Sequence, residues 1–175
     1  IAIFTLISLK NASNLPNKFD VQSIKNFEFK IPTTLIDPHR QFIWGFSLTK
    51  FKNNPLLGYG PDTSNFINDS QKIIGHEKTG DMTFIPSHPH NFFIEILLEL
   101  GILGTFSFIL FILFINYKIL LNANNREKLY LIFFNGYFWG SSLVNFSFWL
   151  GWWQGSYFFI LSLIATKVFL KKKKL

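Results

Sequence analysis

The residues best suited to chemistry in this chain are two histidines that stand just before a long apolar segment. His88 and His90 lie within Ser87–Asn91, and the apolar residues begin at Phe92. An ionisable side chain beside a membrane-spanning segment is costly to keep and usually has a function. If a helix begins here, its positive end disfavours imidazolium, so His90 is predicted to be a neutral imidazole that accepts a proton from a hydroxyl.

Two glutamates follow on the same predicted helix. Glu95 and Glu99 are four residues apart and therefore share one helix face. They are candidates to orient His90 or to pair with a cation, and the alternative is a plain interfacial helix end. We predict His90 as the catalytic residue, with three candidate supporting residues: His88, Asn91 and Glu99.

A metal site is a weaker interpretation of the same histidines. His88 and His90 form a His-x-His pair, but His76 is the only nearby candidate for a third ligand. Zinc sites in proteins need at least three convincing ligands. We therefore predict chemistry without a metal or another cofactor.

Arg40 is the second residue that the sequence singles out. It is one of two arginines in a chain whose other cations are lysines, and it follows Asp37-Pro38, a typical helix start. A guanidinium can hold two phosphate oxygens at once, which a lysine cannot do with the same geometry. We predict that Arg40 binds an anionic substrate, although a surface charge or a lipid headgroup contact is the alternative. Arg126, in a basic turn, is interpreted as a topology residue.

The composition indicates that lipid surrounds much of the chain. Only 15% of the 175 residues are charged and 49% are hydrophobic, including 23 Phe, whereas a soluble domain carries about a quarter charged residues. Cysteine is absent, which excludes a thiolate nucleophile and a disulfide framework. The lysines at 171–174 are predicted to be a cytoplasmic anchor, not a nucleic-acid site, because no nucleic-acid-binding motif accompanies them.

The fold class predicted from these patterns is an all-α polytopic membrane protein with a large external loop. Cations cluster beside particular membrane ends, and the side with more Lys and Arg is normally cytoplasmic. The predicted segments, in chain order, are the end of a truncated transmembrane helix at 1–9, the external loop at 10–90, a transmembrane helix at 91–118, a cytoplasmic turn at 119–128, further transmembrane helices at 129–150 and 151–170, and a cytoplasmic tail at 171–175.

The external loop is predicted to contain short amphipathic helices. The first begins at Asp37, places its Phe side chains near one face and ends before Pro55. A second is predicted from about Asp62 to about Lys72, and residues 75–86 are predicted to be an exposed loop. Alternation near Phe29 indicates an extended strand within 11–36.

Two groups of residues resemble motifs of the O-antigen ligase-related membrane family over roughly 35–115. Arg40 and Trp44, with the run 55–60 that contains Gly58 and Gly60, look like its Arg-x-x-x-Trp and Pro-Leu-x-Gly-x-Gly elements. A second group is similar to its His-Asn and Glu-x-Gly-x-x-Gly element: His90, Asn91, Glu99, Gly101 and Gly104. Both groups occur in the expected order before an apolar span.

The resemblance implies a multi-pass enzyme of the bacterial inner membrane whose active loop is periplasmic. Such an enzyme takes a glycan from undecaprenyl pyrophosphate, with inversion at the sugar and without a metal. By this analogy His90 is the base on the acceptor hydroxyl and Arg40 binds the donor pyrophosphate. The glycines and Trp44 are structural. Family members carry further arginines upstream of this stretch, so the fragment alone is expected to be inactive.

Several interpretations stay open at this point. The acceptor is lipid A-core in ligases, another glycan in polymerases and a protein hydroxyl in O-oligosaccharyltransferases; we favour the ligase. A membrane transport protein is the alternative of another class. It needs ionisable groups along a path through the spans, and residues 129–166 contain none.

Overall fold

The computed structural model describes Phe29 and residues 31–76 and 80–172. The predictions for the truncated span at 1–9, for most of the strand within 11–36 and for the end of the basic tail lie outside these residues. The described part has two regions: a loop domain up to residue 91, and three helices after it. The elements are α1 (Pro38–Phe51), β1 (Ile73–His76), β2 (Gly80–Thr83), α2 (Phe92–Asn122), α3 (Asn125–Ser141) and α4 (Gly151–Lys172).

Helix α1 begins as predicted. Asp37 is its N-cap, and the carboxylate accepts hydrogen bonds from the backbone N–H groups of His39 at 2.8 Å and Arg40 at 3.3 Å. Pro38 occupies the first helical position, where its missing N–H costs nothing. The prediction of one apolar face underestimates the buried surface of this helix, however, because every residue from 41 to 48 is buried. The helix packs against α2, and Phe46 stacks on Phe84, the residue that follows β2.

The region after α1 differs from the prediction of a second helix and an exposed loop. Only Ser64–Phe66 forms a short 3-10 helix, because the chain enters left-handed backbone conformations at Asp62 and Asp69, which interrupt a helix. Strands β1 and β2 then pair as an antiparallel hairpin. Residues 84 and 85 return to the core of the loop domain, which comprises Phe42, Ile43, Trp44, Phe46, Leu48, Ile67, Ile74, Phe84, Ile85, Ile94 and Leu98.

Helix α2 carries both the end of the loop domain and an apolar span. Asn91 is its N-cap and accepts hydrogen bonds from the backbone N–H groups of Phe93 at 3.0 Å and Ile94 at 3.1 Å. The helix is interrupted at Gly101, whose φ of 62° and ψ of −168° are not helical. The first part, up to this interruption, packs in the loop domain, and residues 102–122 continue as an apolar helix.

The backbone of residues 55–60 supplies the hydrogen-bond partners that α2 lacks at its break at Gly101. The backbone N–H groups of Tyr59 and Gly60 donate to the carbonyl oxygens of Leu98 and Glu99 at 3.1 and 2.9 Å. In the opposite direction, the N–H groups of Ile102 and Leu103 donate to the carbonyl oxygens of Pro55 and Leu56 at 2.8 and 3.1 Å. The four polar groups that the broken helix leaves are thereby satisfied. We call this exchange the backbone clamp.

The clamp explains two of the motif glycines. A Cβ at Gly58 would lie 2.4 Å from the backbone of Glu99, and a Cβ at Gly101 would lie 2.3 Å from the carbonyl oxygen of Leu56. Both residues also have positive φ angles, of 70° and 62°. Only glycine allows two backbones to approach this closely in that conformation.

The helices after Gly101 differ from the predicted segments in their bounds. Helix α2 runs to Asn122 and α3 begins at Asn125, so the turn is shorter than predicted. A capping box between Asn124 and Glu127 starts α3. Helix α3 ends at Ser141, although a span over 129–150 was predicted, and residues 142–150 cross back over the start of α2. Their fold is described with the site below.

Three polar side chains, one from each of the three helices, form a closed ring within the apolar bundle. Asn116 Nδ2 donates to Tyr157 Oη at 2.9 Å, Tyr157 Oη donates to Asn135 Oδ1 at 2.9 Å, and Asn135 Nδ2 donates to Asn116 Oδ1 at 2.8 Å. The indole N–H of Trp139 also donates to Asn135 Oδ1 at 3.0 Å. The ring satisfies polar groups that would otherwise be costly among apolar side chains.

Two helices of the described part, α2 and α4, are long and apolar enough to cross a membrane. Helix α3 has 17 residues, fewer than the roughly 20 that a span needs. Large apolar side chains point outward from all three helices, for example Phe106, Phe133 and Phe159, which are 59%, 69% and 65% exposed. Continuous exposed apolar surface of this kind is typical of contact with lipid or with further helices.

Replacing Gly101 by Ala is expected to destabilise the protein by at least about 2 kcal/mol, because a left-handed alanine is strained and its Cβ overlaps the Leu56 carbonyl oxygen. Gly136→Ala is the matched control: Gly136 is helical, and an added Cβ meets no described atom within 4 Å. Thermal unfolding of the purified protein in detergent compares the two. Equal melting temperatures would show that the clamp does not need glycine.

Candidate functional site

Helix α1 presents Arg40 and His39 near its N-terminus. His39 Nε2 lies 2.7 Å from the carbonyl oxygen of Thr83 in β2. Because a carbonyl can only accept, Nε2 is the donor and Nδ1 carries no proton in the neutral ring. The guanidinium of Arg40 is partly exposed, and within the described ranges no carboxylate pairs with it. A cation without an internal partner is available for an anionic ligand.

The position of His90 is fixed from both sides. The indole N–H of Trp44, one turn after Arg40 on α1, donates to the carbonyl oxygen of Pro89 at 2.9 Å. On the other side, Asn91 caps α2. His90 itself has a φ of 52°, a left-handed conformation that a residue with a Cβ adopts only when its surroundings impose it. Trp44 and Asn91 thus define where the imidazole stands.

The imidazole of His90 is held in its neutral form. Burial, and after it the charges of His88, Arg40 and His39, together lower its pKa to about 4. The rings of His88 and His90 are 4.2 Å apart between centroids. The structure therefore brings Arg40 and the two motif histidines together, and Arg40 supplies a positive charge to the site even when both imidazoles are neutral.

His88 has different neighbours from His90. Its Nδ1 lies 3.0 Å from the hydroxyl of Ser87. Burial lowers its pKa, while the backbone of Asn145 and the charges of Asp62 and Glu99 act in the opposite direction. His88 thus stands on the acidic side of the site and His90 on the basic side.

Glu99 does not contact His90. Its buried carboxylate accepts hydrogen bonds from the backbone N–H groups of Asp62 at 2.7 Å and Ser64 at 2.9 Å, from the Ser64 hydroxyl and from the indole N–H of Trp149. It therefore joins the loop at 62–64 to the segment at 142–150. Any influence on the histidines acts through its charge and through the shape of these segments, not through a direct bond to His90.

Glu95 fixes the other half of the same segment. Its carboxylate accepts hydrogen bonds from the Ser147 hydroxyl at 2.8 Å and from the backbone N–H of Phe148. The backbone N–H of Phe92 donates to the carbonyl oxygen of Ser142 at 3.0 Å. These bonds hold residues 142–150 across the start of α2, which is why α3 does not continue through them. The segment forms one wall beside His88.

Two lysines of the loop domain are paired with a carboxylate. Lys50 and Lys72 each lie 3.1 Å from the carboxylate of Asp69. Both lysines lower the pKa of Asp69 through hydrogen bonds. Arg40 is therefore better placed than either lysine to receive an anionic substrate.

Sequence reasoning did not find several residues that surround the site. His39 is adjacent to Arg40 in the sequence, and that adjacency was the available signal. Ser64, Ser147 and Trp149 had no local signal, because their partners Glu95 and Glu99 are between 35 and 52 residues away along the chain.

The fold and the site together define a helical membrane protein that holds an arginine and a neutral histidine within one site, in a domain next to its apolar helices. Comparison with known proteins makes the class more specific. Residues 2–109 match the model of the O-antigen ligase family. The chain belongs to this family, as the resemblance of its motifs indicated.

Curated relatives agree with the family. The chain is 38% identical over 139 residues to a protein of Rickettsia felis and 35% identical over 136 residues to one of Rickettsia typhi, both named putative polysaccharide ligase. Each match covers 74% of this chain and 32% of the relative. The chain thus spans about a third of the length of these relatives. No solved structure matches it.

The neutral state of His90 is open to direct measurement. Diethyl pyrocarbonate modifies neutral imidazole, so the pH dependence of His90 modification, followed by mass spectrometry, reports its pKa. The midpoint is expected near 4, well below the ordinary 6.5. Arg40→Gln removes a nearby positive charge and is expected to raise the midpoint. Lys50→Gln, which removes a cation paired with Asp69, should leave it unchanged. A midpoint of 6.5 for His90 in the wild-type protein would contradict the lowered pKa of this imidazole.

Proposed function

We propose that this chain is part of an inverting glycosyltransferase that moves a glycan from undecaprenyl pyrophosphate to an acceptor hydroxyl. The observation that supports this most is that the guanidinium of Arg40, which pairs with no carboxylate of the described residues, is near enough to His90 for its charge to lower the pKa of that imidazole. Transfer from a pyrophosphate to a hydroxyl needs these two groups: a cation for the leaving group and a base for the nucleophile. The protein is proposed to lie in the inner membrane, with this site on the periplasmic side.

The proposed step forms one bond and breaks one. The acceptor oxygen attacks the anomeric carbon of the donor glycan while the bond from that carbon to the pyrophosphate oxygen breaks. The hydroxyl proton passes to His90, and the negative charge that develops on the pyrophosphate is stabilised by Arg40. Attack from the side opposite the leaving group inverts the configuration. No metal or other cofactor enters this proposal.

Donor binding also changes the strength of the base. In the free site the charge of Arg40 lowers the pKa of His90. A bound pyrophosphate offsets that charge and adds negative charge nearby, so the pKa of His90 rises when the donor is present. A stronger base accepts the hydroxyl proton more readily. The proposed site is therefore most active when both substrates are bound.

Lipid A-core is the acceptor that we favour, because the curated relatives carry the name polysaccharide ligase. A strain lacking the intact protein distinguishes the acceptors. Loss of long glycans from lipid A-core indicates a ligase, loss of glycan length indicates a polymerase, and loss of glycoprotein indicates a protein O-oligosaccharyltransferase.

His90→Ala in the intact protein is expected to lower turnover by about 100-fold or more, the usual contribution of a positioned base. The substitution leaves Asn91 as the helix cap, so membrane insertion and donor binding should persist. His88→Ala is the matched control and should lower turnover much less, because His88 lies on the side of Asp62 and Glu99. Transfer from purified lipid-linked glycan to acceptor, with EDTA present, measures both.

Three outcomes of this comparison would each end the proposed mechanism. Retained turnover in His90→Ala would mean that another group takes the proton. Abolition of wild-type transfer by EDTA would mean that the reaction depends on a metal. Equal losses in His88→Ala and His90→Ala would indicate a shared folding role and would equally remove the case for His90 as the base.

Arg40→Lys tests donor binding separately from proton transfer. Lysine keeps the charge but loses the two parallel donors of the guanidinium, so we expect KM for the donor to rise by about tenfold or more. The N-cap bonds at Asp37 involve only the backbone of Arg40 and should survive. Lys50→Gln is the control, since that lysine is paired with Asp69. An unchanged KM in Arg40→Lys would show that the pyrophosphate is held elsewhere.

A further inference from the structure

A second cluster of cations lies at the far end of the helix bundle, away from Arg40 and His90. Arg126 is in the first turn of α3, and Lys167 is near the end of α4. The side chain of Tyr130 stands between them. Arg126 Nε donates to Tyr130 Oη at 2.6 Å, and the guanidinium carbon lies 5.5 Å from the ring centre. Lys167 Nζ lies 5.6 Å from the same ring centre.

Within the described part of the chain, these two cations have no acidic partner. Glu127 is the only Asp or Glu between residues 100 and 175. Its carboxylate is buried and is used in the capping box with the backbone N–H of Asn124 at 2.9 Å. Among the described residues, neither Arg126 nor Lys167 forms an ion pair. Two like charges that share one aromatic ring repel each other unless an anion lies near them.

The stability of α3 does not explain why an arginine occupies position 126. The N-terminal turn of a helix carries partial positive charge, so a cation there is unfavourable and an anion is favourable. Arg126 stands at that end of α3 and is exposed. Its Nε–H is directed to Tyr130, which fixes the plane of the guanidinium and leaves the two terminal nitrogens for another acceptor.

We propose that Arg126, Tyr130 and Lys167 form a binding site for the phosphate headgroup of an anionic phospholipid such as phosphatidylglycerol. Arg126 supplies the two donors that match phosphate oxygens, and Lys167 supplies a second charge. Tyr130 holds both cations at the boundary where tyrosine is usually found. The apolar faces of α3 and α4 continue from this point, with Phe133 and Leu163 exposed for acyl chains. Basic sites between membrane helices commonly take such lipids.

The test measures lipids retained by the intact protein. The purified protein is exchanged into micelles with equal amounts of phosphatidylglycerol and phosphatidylcholine, and native mass spectrometry gives the ratio of the two lipids bound. We expect phosphatidylglycerol to be preferred in the wild type. Arg126→Gln should lower the preference by about tenfold, as expected for a lost charge-assisted hydrogen bond.

Matched variants distinguish a specific binding site from a general attraction of the lipid to positive charge. Lys128→Gln removes one charge from the same turn without touching Tyr130 and should leave the preference unchanged. Tyr130→Phe removes only the hydroxyl that orients Arg126, keeps the net charge and should lower the preference. Equal effects of Lys128→Gln and Arg126→Gln, or no effect of Tyr130→Phe, would show a general charge effect and overturn the site.

Inorganic phosphate distinguishes the lipid from a free anion. Millimolar phosphate should not displace phosphatidylglycerol, because the acyl chains contribute to binding. Complete displacement would mean that a free phosphate is the ligand and would overturn the lipid assignment. No preference for phosphatidylglycerol in the wild type would have the same consequence. The thermal unfolding of each variant in phosphatidylcholine alone checks that it is folded.

Discussion

The arrangement of this protein depends on the backbone clamp between residues 55–60 and the break at Gly101. A helix that breaks beside an apolar span exposes N–H and C=O groups that neither lipid nor apolar side chains can satisfy. Here the loop that follows α1 supplies their partners. Because α1 carries Arg40 and the first part of α2 follows His90, the same contact sets the distance between the two groups of the site. The motif glycines Gly58 and Gly101 allow the close approach of the two backbones in this contact.

Two buried carboxylates extend this organisation to the rest of the site. Glu95 and Glu99 lie on one face of α2, as their spacing predicted, and each accepts hydrogen bonds from segments far away in the sequence. A buried carboxylate is costly unless several donors surround it. Glu99 has donors from both 62–64 and Trp149. The loop domain and the segment at 142–150 are therefore joined through one side chain.

The sequence predicted the local features well and the distant contacts poorly. Helix α1 and the grouping of Arg40 with His90 followed from cap residues, residue types and spacing, which are local or shared with a family. The end of α3 at Ser141 was not predicted, because residues 129–150 are uniformly uncharged. The hydrogen bonds that hold residues 142–150 away from the helix direction are made to Glu95. The hairpin was missed because its strands have four residues each and β2 is largely exposed, so no regular alternation of apolar and polar residues marks them.

The ring of Asn116, Asn135 and Tyr157 has a mechanical consequence. Apolar helix faces tolerate sliding and rotation against one another, since one leucine contact resembles the next. A closed ring of hydrogen bonds from three helices does not, because a shift of one turn breaks every bond at once. The ring thus fixes the register of the three helices against one another. The break at Gly101 lies outside this ring, so a change in the angle between the two parts of α2 leaves the hydrogen bonds of the ring in place.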